Sequence, residues 1–174
     1  MGLFRRLNDA IDTNTIQRAW RSVGNVDWQS WAQQYGWSYQ AYAPELANRW
    51  RDFDGIEDYR NLMTTTLHDR PVMSFECISH KHKGWLEDAG VLGVNGFVVV
   101  RLPGPVAEPY ASQRLDRTLR HFKVDLPASF NTGRIQGLDL IAVHRGLHNP
   151  NRLHNEADLI ALLTAMAPPD FWRH

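Results

Sequence analysis

Two runs rich in Thr, Met and β-branched or aromatic residues, Tyr59 to Leu67 and Val72 to His82, are joined by His68-Asp69-Arg70-Pro71. A third, Phe97-Val98-Val99-Val100-Arg101-Leu102, follows a glycine-bearing stretch from Gly90 to Gly96. Parallel neighbours need a crossover of about a dozen residues or more, usually a helix, and the block from Tyr59 to Leu102 carries none. A doubly wound α/β fold is thereby disfavoured. The pattern instead predicts a β-hairpin turning at His68 to Pro71, with Met73, Phe75 and Cys77 on one face of its second strand. The third run reads as an interior strand, with Gly90, Gly93 and Gly96 as turn residues ahead of it.

Helical signals flank this block. Asp27 reads as an N-cap before Trp28, Trp31 and Tyr35 on one helix face, with Gly36 ending the helix in a left-handed conformation. Trp37 to Tyr42 alternates large and small residues as a half-buried strand does, and Pro44 opens a short helix in which Leu46 and Trp50 meet. Beyond Pro103, Ser112 to Phe122 reads as helix, Lys123 to Gly137 as loop and Leu138 to His144 as strand. Asn155 reads as the cap of a final helix with Leu159, Leu162, Leu163 and Met166 as its apolar stripe. The expected fold is therefore α+β: a mainly antiparallel sheet with short N-terminal helices and a C-terminal helix on one face. Residues 1–24 read as an amphipathic helical arm and 25–174 as one domain.

Composition narrows the function. Nineteen Lys and Arg balance nineteen Asp and Glu, so the broad cationic footprint of a nucleic-acid binder is missing. A single cysteine offers no disulfide framework and fits a reducing cytosol. No apolar run reaches the roughly 20 residues of a membrane span.

Seven Trp and eight His invite a search for aromatic and metal sites. Trp28, Trp31, Trp37 and Trp50 stand where their own elements turn inward, which predicts core packing. Trp85 follows His80-Lys81-His82-Lys83-Gly84 in a predicted loop and is a candidate recognition residue. His80 and His82 share a strand side, but Lys81 and Lys83 would repel a cation. His144, His148 and His154 form a looser group without the spacing of a zinc-protease helix. Cys77 faces inward and lacks a partner thiol or activating motif. No catalytic, metal or cofactor site is assigned on these grounds. The clearest surface is the arm, where Leu3, Phe4 and Leu7 beside Arg5 and Arg6 suit packing on their own domain, a partner protein or an anionic bilayer.

The segment Trp31-Ala32-Gln33-Gln34-Tyr35-Gly36-Trp37-Ser38-Tyr39, then His68-Asp69-Arg70-Pro71-Val72-Met73-Ser74-Phe75-Glu76, then Val99-Val100-Arg101-Leu102-Pro103, resembles a family of uncharacterised actinobacterial proteins. That family carries an A-x-x-x-G-W-x-Y element, a G-x-x-x-G-R-P-x-x-x-F-x-Y hairpin and a V-V-x-L-P strand. Here Asp69 stands for the second glycine and Cys77 for the tyrosine. Many relatives have an N-terminal membrane helix, so the resemblance implies a cytoplasmic domain at the inner membrane face, accessory to cell-envelope assembly or transport. The leading expectation is a non-enzymatic adaptor acting on a protein partner, with no nucleic acid and with a membrane surface as an alternative contact of the arm. The alternatives are a small-molecule or lipid-binding domain, and a metal-dependent enzyme using His80, His82 and one of His144, His148 or His154.

Overall fold

The computed structural model describes residues 26–46, 49–50, 56–79, 93–106, 130, 132–167 and 171. Helix α1 (Trp28–Tyr35) leads into strand β1 (Ser38–Tyr42) and a 3-10 turn (Pro44–Leu46). Strands β2 (Ile56–Leu67), β3 (Arg70–Ser79), β4 (Gly93–Arg101), β5 (Thr132–Gln136) and β6 (Asp139–Arg145) follow, then helix α2 (Leu153–Ala165). The six strands form one sheet in the order β1-β2-β3-β4-β6-β5, every neighbouring pair antiparallel. This is the expected α+β architecture.

Local chemistry sets α1. The Asp27 carboxylate accepts from the Ser30 amide at 3.0 Å, satisfying one of the free N–H groups of the first turn. Gly36 closes the helix at φ 73°, a conformation that would strain most side chains. The β2–β3 hairpin is tighter than the sequence suggested. Its turn is His68-Asp69 alone, both at positive φ, as the right-handed twist of a two-residue hairpin requires. Arg70 and Pro71 already pair with Leu67 and Thr66. Pro71 stands one residue before the first β3–β4 pair, Val72 with Val100, where its missing N–H breaks no ladder.

Both sheet faces are covered. On one, Val72, Val98, Val100, Leu140 and Ala142 pack beneath Trp28, Trp31 and Ala32 of α1 and Leu153, Ala157, Ile160 and Ala161 of α2. On the other, Phe75, Cys77, Phe97, Val99, Ile141 and Val143 meet Ala43, Leu46, Trp50 and Tyr59. Phe75 stacks on Phe97 with centroids 4.8 Å apart. Trp28, Trp31, Trp37 and Trp50 are all buried. Trp31 Nε1 also donates to the Pro150 carbonyl at 2.8 Å, tying α1 to the loop ahead of α2.

Several expectations need correction. Strand β1 lies at the sheet edge with four of its five residues exposed, so it is not half-buried. The Pro44 segment forms a single 3-10 turn. Part of the presumed loop before Gly137 is β5, joined to β6 by a turn with Gly137 at φ 59°. Helix α2 begins at Leu153, so Asn155 lies inside it and caps nothing. The buried side of α2 is Leu153, Ala157, Ile160, Ala161 and Thr164, while Leu159 is 39% and Met166 69% exposed. Small alanines let this side approach the sheet, and leucines around the rest of the helix disguise it. Among the described residues no helix is long and apolar enough to cross a membrane.

Candidate functional site

One cross-strand row on the helix-covered face breaks the apolar pattern. Glu76 pairs with Gly96 and Gly96 with His144, so a carboxyl, a bare backbone and an imidazole lie side by side on β3, β4 and β6. The missing side chain is the essential part. A Cβ on Gly96 would overlap Nε2 of His144 and come within 2.6 Å of its Cε1 and 2.8 Å of His148 Cε1. Gly96 is thus a mid-strand notch that admits two rings, not the turn residue its sequence context predicts.

His148, in the loop after β6, fills that notch. Its ring nitrogens lie 2.8 Å from His144 Nε2, 2.8 Å from Ser74 Oγ and 3.1 Å from the Phe75 carbonyl. Its backbone N–H donates to Glu76 Oε1 at 2.8 Å. The second Glu76 oxygen accepts from Asn61 Nδ2 at 2.7 Å, and Asn61 Oδ1 accepts from the Tyr39 hydroxyl at 3.0 Å. Asn61 is aimed there by a bulge: between Arg60 and Met63 strand β2 has one residue more than β3, and Asn61 takes φ 51°, tolerated by its short polar side chain. Trp28 and Phe130 close the site with edge contacts to His148 and His144.

The electrostatics follow from enclosure. Glu76 is 0% exposed. Burial pushes its carboxyl above the usual range, against the downward pull of the Asn61 and His148 hydrogen bonds. Burial, then the neighbouring His144, hold His148 well below the ordinary imidazole value, opposed by the Phe75 and Phe97 carbonyls. Burial and the Glu76 charge raise Tyr39, which keeps its hydroxyl a donor.

Ser74, His148 and His144 have the distances of a nucleophile, a base and an orienting group. The Phe75 carbonyl can only accept, and it engages the same His148 nitrogen that Ser74 Oγ would need as its proton acceptor. Ser74 itself is fully buried. The arrangement can hold a proton in place and fasten a loop to three strands.

A second polar constellation lies on the opposite face. Asp139 is buried, and its carboxylate accepts from Arg101 Nη1 at 3.0 Å, Arg49 Nη2 at 3.3 Å and Trp50 Nε1 at 3.0 Å.

Of the histidines singled out from the sequence, the structure joins His144 and His148 and places His154 elsewhere, where it accepts from Trp37 Nε1 at 3.2 Å beside Tyr35. Among the described residues no group of three His, Cys, Asp or Glu is arranged to hold a metal ion. Cys77 is buried, and the sequence has one cysteine. Leu3, Phe4, Arg5, Arg6, Leu7, His80, His82 and Trp85 lie outside the described residues. The sequence does not disclose the roles of Glu76, Gly96 and Asp139, because a charged residue within a strand run reads as solvent-facing and a glycine before one reads as a turn. No protein-family model, curated protein or solved structure matches the chain.

Two outcomes are expected. Gly96→Ala forces apart two rings that are each anchored by other bonds, and should lower stability by about 3 kcal/mol in urea unfolding. For His148, the unfolded chain takes up a proton below about pH 6.5 while the folded chain resists, so this stabilisation is complete above that pH and is lost as pH falls toward the depressed folded value. Glu76 has the opposite sign: its contribution is full below about pH 4.3 and is lost as pH rises through the raised folded value. Unfolding measured from about pH 7 to about pH 5 should therefore show wild type gaining on Glu76→Gln as the solution is acidified.

Proposed function

We propose that this chain is a non-enzymatic interaction module that receives an extended segment of a partner protein along β1. The carrying observation is the state of that edge. Among the described residues β1 pairs only with β2, four of its five residues are exposed, and Tyr42 is 58% exposed with the Arg60 guanidinium 5.4 Å from its ring centroid. Sheet edges are normally blunted by charge, proline or bulges. Ser38-Tyr39-Gln40-Ala41-Tyr42 has no charge and no proline, whereas the opposite edge strand, β5, carries Arg134 in its middle. An extended backbone is the chemistry that such an edge accepts, and alternate side chains supply selectivity. The way Ser74, Glu76, His144 and His148 are committed to holding strands and loop together favours this reading over a catalytic one.

Membrane proximity belongs to the same proposal. It rests on Leu3, Phe4, Arg5, Arg6 and Leu7, whose mixture suits the boundary of an anionic bilayer.

A photo-reactive phenylalanine analogue at position 42 should crosslink a partner peptide in cells, with the linkage mapped to β1. Ala41→Glu should abolish that crosslink while changing stability by no more than about 0.5 kcal/mol. An undiminished crosslink in the variant removes the reading. Vesicles rich in anionic lipid should bind the full chain and release it when residues 1–24 are deleted or salt is raised.

A further inference from the structure

The Asp139 constellation borders a cleft of about 480 Å³, lined by Arg49, Trp50, Arg101 and the 136–139 turn. This lies within the range of roughly 300–1,000 Å³ typical of small-molecule sites. We infer that the cleft binds a small molecule through an oxyanion group, carboxylate or phosphate, held between Arg49 and Arg101.

The charges point that way. Among the described residues two permanently cationic guanidinium groups face a single carboxylate, so this part of the lining carries one positive charge in excess. Each guanidinium has five N–H donors, and Asp139 takes one from each. Among the described residues no other acceptor meets either group. Their side chains are 33% and 44% exposed, against 6% for Asp139, so the guanidinium groups are the more accessible charges of the lining.

The positions are fixed in advance, which lowers the ordering cost of binding. Arg101 and Asp139 are cross-strand partners on β4 and β6. Arg49 sits over the Trp50 ring at 5.0 Å, and Trp50 is held by its bond to Asp139 and by stacking on Phe75. Because the two guanidinium groups grip opposite oxygens of one carboxylate, the distance between them is set by that carboxylate. Paired guanidinium donors at a fixed separation are what a carboxylate or phosphate binds best.

The test is NMR titration of the full chain at constant ionic strength with phenyl phosphate, benzoate and sodium chloride. Saturating shifts at the Trp50 indole N–H and the amides of residues 136–139 are expected with phenyl phosphate or benzoate and not with chloride. The stronger of the two identifies the oxyanion as phosphate or carboxylate. Arg101→Gln leaves Asp139 its bonds from Arg49 and Trp50, and should weaken binding roughly tenfold or more with the urea midpoint nearly unchanged. Shifts that chloride reproduces, no saturation with either organic anion, or full affinity in Arg101→Gln would overturn the inference. None of these results bears on β1, whose crosslink is read independently.

Discussion

The packing of this molecule depends on a hole. Where Gly96 passes between Glu76 and His144, the central strand lacks a side chain, and the rings of His144 and His148 occupy the space. His148 belongs to the loop between β6 and α2, so its insertion fastens that loop to the sheet. Pro150, two residues on, receives the Trp31 indole bond, and Trp28 packs edge-on against the His148 ring. The N-terminal helix therefore rests on a loop which is itself pinned by the notch, and α2 starts from the end of that loop.

A polar row in a hydrophobic layer costs desolvation, several kcal/mol for a buried carboxylate. The two hydrogen bonds to Glu76 return about 1.5–3 kcal/mol each when the group is charged, so the row adds little net stability. Its value is in register. The neighbouring row on the same face, Ser74, Val98 and Ala142, is small and mostly apolar, and would tolerate sliding. A slip of one residue would turn Glu76 and His144 toward the face occupied by Phe75, Phe97 and Val143, leaving both polar groups without partners. Polar complementarity across three strands thus selects one alignment among many that would bury similar apolar area.

The parts legible in the sequence are those whose determinants are local. The Asp27 cap and the Gly36 terminator act within four residues of the turns they control, and both stand as expected. The shared face of Met73, Phe75 and Cys77 follows from a period of two, and it too is found. Failures arise where distant residues decide. Whether Gly96 is a turn or a notch depends on Glu76 and His144, which come from two other strands. The buried side of α2 could not be read because leucines occur around the whole helix and alanines select the close face. Strand β5 has just one large apolar residue, Ile135, and becomes a strand through pairing with β6.

The two buried carboxyl groups show how enclosure divides structure from surface chemistry. Glu76 and Asp139 are both nearly inaccessible, yet they sit on opposite faces and have different partners. Glu76 accepts from an amide side chain and a backbone N–H, neutral donors committed to the interior. Asp139 accepts from an indole and two arginines, and arginine brings more donors and more charge than one carboxylate can absorb. The first set lies in the interior and fastens strands and loop together. The second leaves a cationic remainder at the surface, and that remainder, more than the count of ionisable residues in either cluster, decides which of the two has chemistry left to offer a ligand.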